Sequence, residues 1–141
     1  MSITIGNGSG FWGDRIDNEL QVDYLTLDYL SEMSLSIMAV QREKDPSMGY
    51  AADFLEVVPR CKIVTNAGGL NPLGLALEVK RRYPKLKIGV VSGDDVLSYF
   101  PNLSTANAYL GAEPIVEALK GGADIVITGR VADPSLTVAC A

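Results

Sequence analysis

The sequence predicts an α/β fold in which helices cover both faces of a parallel sheet. Short apolar runs of strand type alternate along the chain with segments of helical period, and this alternation is typical of parallel sheets. The chain has 141 residues, of which 48% are hydrophobic and 21% charged, enough for one packed domain and too few for two. We therefore expect a single α/β domain over residues 1–141.

The predicted strands are short apolar runs that end in small or polar residues. The first opens the chain and leads into a glycine-rich loop that begins at Gly6. In chain order the strands are Ile3–Ile5, Tyr24–Leu27, Lys62–Thr65, Lys87–Val91 and Ile125–Thr128. With helices between them, these strands predict the middle layer of a Rossmann-like three-layer sandwich.

Capping residues and prolines place the helices. Asn71 followed by Pro72 indicates a helix start, because proline is favoured at the first helical position. A proline also ends a helix, since it disfavours helical geometry in the residue before it. The predicted helices are Ile16–Leu20, a helix capped by Ser31 and stopped by Asp45-Pro46, Ala51–Val58, Leu73–Arg82 and Ile115–Lys120.

Composition excludes several classes of function. Asp and Glu total 17 against 12 Lys and Arg, a formal charge of −5, which argues against nucleic acid and anionic membranes as partners. The absence of histidine excludes Ser–His and Cys–His catalytic pairs within this chain. Cys61 and Cys140 are too few for a disulfide scaffold or a Cys₄ zinc site. Without a signal peptide or an apolar stretch that could span a membrane, we expect a cytoplasmic protein.

Polar residues and glycines follow the end of every predicted strand. In open α/β proteins, ligands bind in the loops beyond the carboxyl ends of the strands. The candidate positions are Gly8, Gly10, Asp14, Arg15, Asp28, Asn66, Gly68, Gly69, Asp94, Asp95, Arg130 and Asp133. Each loop also has a plain structural interpretation, because Asp28, Asn71 and Asp95 can cap helices and glycine suits tight turns. Five such loops at one edge favour a binding cleft.

The aspartates and the arginine among these candidates offer distinct chemistries. Asp94, Asp95 or Asp28 could act as a carboxylate general base. These carboxylates could also ligate Mg²⁺, but adjacent aspartates point in different directions, so we assign no metal site. Arg130 is the candidate for holding a carboxylate or phosphate, and the alternative is an ion pair with one of these aspartates.

The glycine loop after the first strand offers a weaker signal for phosphate binding. The backbone amides of Gly6, Gly8 and Gly10 could cradle a phosphate group. Position 11 is Phe11, so the third glycine of the dinucleotide-binding pattern is misplaced, and no P-loop motif is present. The alternative is a tight turn that packs Phe11 and Trp12 against the sheet. We assign no cofactor.

Seven sequence blocks, taken together, resemble one protein family. They are GSGFWGDR at 8–15, DYLTLDYLSE at 23–32, DPSMGYAADF at 45–54, KIVTNAGGLNP at 62–72, GDD at 93–95, ANAYLGAEPIVEAL at 106–119 and GADIVITGRVADPSL at 122–136. In this order they resemble the acyclic terpene utilisation family, which is AtuA-like. The resemblance adds Asn107 to the candidate positions. Members of the family are several times longer, which implies either a reduced form of the family or the N-terminal portion of a longer architecture, and we expect the latter.

The resemblance implies a part in the breakdown of acyclic terpenes such as citronellol and geraniol, through acyl-CoA intermediates. The expected protein is an enzyme, or part of one, that acts on a CoA-linked or carboxylic small-molecule substrate by hydration, lyase-type elimination or hydrolysis. In this hypothesis Asp28, Asp94 and Asp95 are the catalytic candidates, and the remaining positions bind the substrate. The alternative is a non-catalytic binding or assembly module.

The end of the sequence predicts self-association. Residues Leu136–Ala141 are apolar and carry no polar tail. Because monomers rarely keep large apolar patches exposed, we expect a homo-oligomer or a partner chain to cover this segment. The alternative is a monomer whose last residues fold back across the sheet.

Overall fold

The structure is a computed structural model that describes residues 2–9, 21–30, 32–103 and 105–141. In these ranges five strands form one sheet in which every neighbouring pair is parallel. The strands are β1 (Ile5–Ser9), β2 (Tyr24–Leu27), β3 (Lys62–Thr65), β4 (Ile88–Val91) and β5 (Ile125–Thr128), in the spatial order β1-β2-β3-β5-β4. The predicted parallel α/β fold is confirmed.

Helices cover the two faces of this sheet and complete three layers. The helices are α1 (Glu32–Lys44), α2 (Pro72–Arg82), α3 (Glu113–Lys120) and α4 (Ser135–Val138), with 3₁₀ helices at Ala52–Glu56 and Leu97–Tyr99. One core joins α1 and α2 to the sheet through buried residues such as Met38, Leu75 and Ile63. The second core joins α3 and α4 to the other face, where Ile115 and Val126 are fully buried.

The faces that the helices cover follow from the strand order and the preference for right-handed crossovers. α1 and α2 lie on one face while the chain moves from β2 through β3 to β4, and α3 lies on the other face as the chain returns to β5. A right-handed connection covers one face when the chain moves one way across the sheet and the opposite face when the chain moves back, as it does from β4 to β5. The order differs from the 3-2-1-4-5-6 order of dinucleotide-binding sheets, so "Rossmann-like" describes only the layering.

Local signals at the helix ends act as the sequence predicts. The Asn71 side chain accepts a hydrogen bond from the Gly74 backbone nitrogen at 3.0 Å and caps α2. α1 ends at Lys44, one residue before the Asp45-Pro46 pair. After α3, Gly122 has a φ of +89°, a backbone conformation that favours glycine. The helix boundaries are therefore largely local properties of the sequence.

Two local predictions are wrong, and two lie outside the described residues. The first strand covers Ile5–Ser9 instead of Ile3–Ile5, and its register with β2 shifts at Gly8, as in a β-bulge. The chain stays extended through Gly6 and Gly8 because the backbone of β2 pairs with this segment. The expected helix Ala51–Val58 is a five-residue 3₁₀ helix. The predicted helix Ile16–Leu20 and the cap at Ser31 lie outside the described residues.

The apolar chain end is largely buried, although Val138 in it is 58% exposed. Leu136, Ala139 and Cys140 are buried in the second core, and α4 packs against β2 and β3. Further exposed apolar residues lie on α1 and between residues 99 and 103, among other places; they include Met33, Ile37, Val40, Tyr99, Phe100 and Leu103. In the described ranges, no helix is both long enough and apolar enough to cross a membrane.

Candidate functional site

Polar residues from four loops meet at the carboxyl edge of the sheet. Asp28 follows β2, Asn66 follows β3, Asp94 follows β4 and Arg130 follows β5. Because all strands are parallel, these loops share one edge, and direct hydrogen bonds connect them in pairs. The sequence-predicted positions are thus brought together by the topology.

Asn66, which follows β3, holds the loop after β2 in place through side-chain hydrogen bonds. Its side chain is fully buried, its Nδ2 donates to Asp28 Oδ1 at 2.7 Å, and its Oδ1 accepts from the Tyr29 backbone nitrogen at 2.7 Å. The Asp28 carboxylate also accepts from the Leu30 backbone nitrogen at 3.1 Å. These bonds orient the Asp28 carboxyl group at the sheet edge.

The environment of Asp28 shifts its proton affinity. Partial burial is the largest influence and raises the pKa of Asp28 above its ordinary value, and the nearby Asp133 carboxylate acts in the same direction. The hydrogen bonds from Asn66 and Leu30 and the positive charge of Arg130 oppose this shift. The net effect is a carboxyl group that holds its proton more tightly than an exposed aspartate.

Asp94 is a buried carboxylate that joins three segments. It is 3% exposed, and its Oδ2 accepts from the Arg130 backbone nitrogen at 2.7 Å and from Asn107 Nδ2 at 2.8 Å. A methyl group at Gly129 would lie 2.5 Å from Asp94 Oδ2, so this close approach requires glycine. These contacts tie the loops after β4 and β5 to Asn107.

Arg130 is also directed into the protein. It is 4% exposed, its Nη1 donates to the Leu30 carbonyl at 2.9 Å, and its Nη2 donates to the Tyr109 hydroxyl at 3.0 Å. Its guanidinium carbon lies 4.4 Å from the centre of the Tyr109 ring, and Nη2 lies 3.3 Å from Asp133 Oδ1. Arg130 therefore forms an ion pair with Asp133, an aspartate outside the three that the sequence-based alternative named.

Several other predicted positions have structural reasons for their residue types. Asp95 is exposed and accepts from the Leu97 backbone nitrogen at 3.0 Å, a local Asx turn that precedes the 3₁₀ helix, whose N-cap is Val96. A methyl group at Gly68 would lie 2.5 Å from the Thr128 carbonyl oxygen. Gly69 has a φ of +53° and packs against Met38. In these three cases local turn and packing interactions account for the sequence signal.

The structure describes only the first part of the glycine-rich loop, up to residue 9. Gly8 is buried in the bulge of β1. Gly10, Asp14 and Arg15 lie outside the described residues. Their predicted contribution to substrate binding stays a prediction.

A cleft of about 470 Å³ lies between α1 and residues 95–103 and 105–107. The chain folds back on itself here, because Asp95 and Asn107 form an antiparallel bridge and the Val96 nitrogen donates to the Ala106 carbonyl at 2.8 Å. The lining residues are Ala39, Arg42, Glu43, Leu70, Asp95, Leu97, Leu103, Thr105, Ala106 and Asn107. Asn107 joins the cleft to the buried network, since it also donates to Asp94.

Of the predicted site residues, Asp95 and Asn107 line this cleft, whereas Arg42 and Glu43 were not foreseen. Arg42 Nη1 donates to the Leu70 carbonyl at 3.1 Å and so bridges α1 to the loop after β3. In the sequence these two residues resemble the charged last turn of an ordinary helix. Within the described ranges, no group of three or more His, Cys, Asp or Glu side chains is arranged to hold a metal ion.

The fold and this edge define a three-layer α/β protein whose polar loop residues gather beyond the carboxyl ends of its strands. A family model described as acyclic terpene utilisation family protein AtuA matches residues 3–141. The chain therefore belongs to this family, which implies a role in acyclic terpene utilisation. No curated protein and no solved structure gave a match.

Proposed function

We propose that this chain is an enzyme of acyclic terpene catabolism, or the N-terminal part of one, and that it acts on a CoA-linked or carboxylic substrate. Family membership supports the pathway. The observation that carries the catalytic part of the proposal is the partly buried Asp28 at the carboxyl edge, whose pKa is raised mainly by burial. Such a carboxyl group is suited to proton transfer.

Asp28 is the proposed general acid–base residue. Hydration and lyase-type elimination both require a group that removes a proton in one step and returns a proton in another. A raised pKa brings a carboxyl group nearer to the pH at which it can do both. In this assignment Asp28 replaces Asp94 and Asp95 as the leading candidate, because Asp94 is buried in internal hydrogen bonds and Asp95 is an exposed residue engaged in a local turn.

Asn66, Asp94 and Arg130 are proposed as positioning residues. Asn66 orients the Asp28 carboxyl group through a 2.7 Å hydrogen bond. Arg130 connects the loop after β5 to the Leu30 carbonyl, two residues beyond Asp28, and Asp94 fixes the backbone of Arg130. Hydrogen bonds of this kind favour catalysis because they hold the Asp28 carboxyl group in one orientation before the reaction.

The second candidate function is a non-catalytic binding or assembly module. The observation that favours it is the apolar stripe on the exposed side of α1, where Met33, Ile37 and Val40 are 70%, 45% and 52% exposed. These residues are spaced to share one helical face, as in helices that dock on a partner. Under this proposal the stripe would also serve the expected homo-oligomer.

A thermal shift measurement with acyl-CoA ligands separates the two candidates. A ligand that binds only the folded state raises the melting temperature by mass action. The enzyme proposal predicts that citronellyl-CoA raises the melting temperature more than free CoA does. A melting temperature that neither compound changes, together with self-association through α1, would favour the assembly module.

A further inference from the structure

Arg130 and Asp133 form an ion pair between a buried cation and an exposed carboxylate. Nη2 of Arg130 lies 3.3 Å from Asp133 Oδ1, and the two side chains are 5% and 67% exposed. Because most of the Asp133 side chain faces solvent, the position that its carboxylate occupies beside Nη2 is reached from solvent. Movement of the Asp133 side chain therefore opens this donor to a ligand.

Contacts with other residues hold the Arg130 guanidinium in place independently of Asp133. Nη1 donates to the Leu30 carbonyl at 2.9 Å, and Nη2 also donates to the Tyr109 hydroxyl at 3.0 Å. The guanidinium carbon lies 4.4 Å from the centre of the Tyr109 ring. A donor that is already oriented binds an anion at a smaller cost in entropy, so the guanidinium is preorganised for a ligand.

The two partners of this ion pair depend on it to different degrees. Water competes for the exposed Asp133 carboxylate, and the pairing restricts its side chain, so Asp133 gains little from the contact. The buried guanidinium of Arg130 strongly favours a negative charge beside it, because a buried charge without a counter-ion is costly. The position beside Nη2 therefore requires an anion, and an anion from solution satisfies it as well as Asp133 does.

This position lies near Asp28, the proposed acid–base residue. Burial is the main cause of the raised pKa of Asp28, and the charges of Asp133 and Arg130 also act on it, in opposite directions. The three groups are therefore close enough to interact electrostatically. A monoanion in place of Asp133 keeps this balance of charge, whereas a dianion such as phosphate adds a second negative charge near Asp28. A carboxylate is the anion that matches the position.

We infer that the position beside Arg130 Nη2 is a carboxylate-binding subsite, which the Asp133 side chain occupies until a ligand carboxylate replaces it. The inference rests on the proposed function and deepens it, because it names the group that anchors the ligand near Asp28. A carboxylic substrate carries this group. Hydrolysis of a CoA thioester forms it, when water replaces the thiol at the carbonyl carbon and a proton is released.

Thermal unfolding of the full chain in acetate and in acetamide tests the subsite, because these two probes share one size and differ in charge. Asp133→Ala removes the internal carboxylate. Acetate, exchanged for chloride at constant ionic strength, should raise the melting temperature of this variant by about 2 °C or more. Acetamide should leave it unchanged. The wild type should respond less to acetate, because Asp133 competes for the same donor.

Asp133→Asn provides the test if Asp133→Ala does not fold, because asparagine keeps the size of the side chain and removes its charge. In acetate titrations of the melting temperature, this variant should bind acetate about threefold or more tightly than the wild type. The matched control, Glu117→Gln on the exposed surface of α3, should bind acetate as the wild type does. Equal responses of the Asp133 variants and the wild type would overturn the inference, as would an equal effect of acetamide or a larger effect of sulfate.

Competition with citronellyl-CoA distinguishes the two sources of the carboxylate. Acetate that raises the KM for citronellyl-CoA without changing kcat supports a carboxylate formed from the thioester, and acetate that binds without such competition supports a carboxylic substrate. Conversion of citronellyl-CoA that depends on Asp28, without stabilisation of Asp133→Ala by acetate, would overturn only the subsite. Stabilisation by acetate without any conversion would overturn only the proposed catalysis.

Discussion

The Asp94 carboxylate lies 2.7 Å from the Arg130 backbone nitrogen and joins the loops that follow β4 and β5, the two neighbouring strands at one end of the sheet. The same oxygen accepts from Asn107, which lines the cleft. One buried carboxylate therefore connects the sheet edge, the Arg130 network and the cleft wall. The predictions below follow from this connection and from the position of Asp28 beside it.

Asp94→Ala should strongly destabilise the fold. The substitution removes the acceptor of two hydrogen bonds and leaves the Arg130 nitrogen and the Asn107 amide buried without it. We expect a loss of about 2–4 kcal/mol in the free energy of unfolding. Denaturant unfolding measures this loss. Asp95→Ala is the control: this exposed residue accepts one hydrogen bond in a local turn, and its loss should cost no more than about 1 kcal/mol. Equal losses for the two variants would contradict the assigned role of Asp94.

Gly129→Ala tests the close approach of the Asp94 carboxylate to the backbone. The added methyl group would lie 2.5 Å from Oδ2 and 2.7 Å from Oδ1, so either the carboxylate or the loop must move. We expect a destabilisation of about 1–3 kcal/mol. At Gly111 a methyl group would meet no atom within 4 Å, so Gly111→Ala should be neutral or slightly stabilising. The prediction fails if urea unfolding gives the same midpoint for both variants.

Arg130→Lys should not preserve the function of the arginine, although it keeps the charge. A lysine ammonium cannot reproduce the planar stack on Tyr109 together with the two hydrogen bonds to Leu30 and Tyr109. We expect a loss of about 1–3 kcal/mol in unfolding free energy. Arg82→Lys, on the exposed surface of α2, should change it by no more than about 0.5 kcal/mol. If Arg130→Lys unfolds with the wild-type free energy, the Tyr109 ring contact and the two guanidinium hydrogen bonds do not stabilise the fold.

The raised pKa of Asp28 predicts how stability depends on pH. Because the folded state binds this proton more tightly than the unfolded chain does, Asp28 contributes stability at low pH that is lost as the pH rises through the folded pKa. Asp28→Asn removes this contribution, so stability should fall less between pH 4 and neutrality in the variant than in the wild type. Melting temperatures across this range measure the difference. A steeper fall in the variant would mean that the Asp28 pKa is lowered instead.

Local sequence signals were sufficient for most of the fold. β2, β3 and β5 have the predicted boundaries, and the Asn71 cap and the Asp45-Pro46 stop act where the sequence places them. The sequence predicts the wrong boundaries for β1, because the glycines in Ile5–Ser9 have no preference for strands. They become part of a strand through pairing with β2. The strand order could not be predicted from local patterns, since it depends on which faces the crossovers take.

The candidate site was less predictable than the fold. Asp28, Asn66, Asp94 and Arg130 were found from their positions after strands, because a parallel sheet brings those positions together. Their individual roles depend on burial and on partners distant in sequence; Arg130, for example, bonds to Leu30 across 100 residues. Arg42 and Glu43 were missed because a helix exposes charged residues whether or not a cleft lies beside them.

The most direct test of the proposed function is the conversion of citronellyl-CoA by the wild-type chain and by Asp28→Asn, followed by mass spectrometry. The proposal predicts conversion by the wild type and a rate reduced about 10²–10⁴-fold in Asp28→Asn, the usual contribution of a general acid–base residue. The variant should still bind citronellyl-CoA, because asparagine keeps the size of the side chain, and Glu117→Gln should convert it at the wild-type rate. An Asp28→Asn variant that converts citronellyl-CoA as fast as the wild type would contradict the assignment of catalysis to this edge of the sheet.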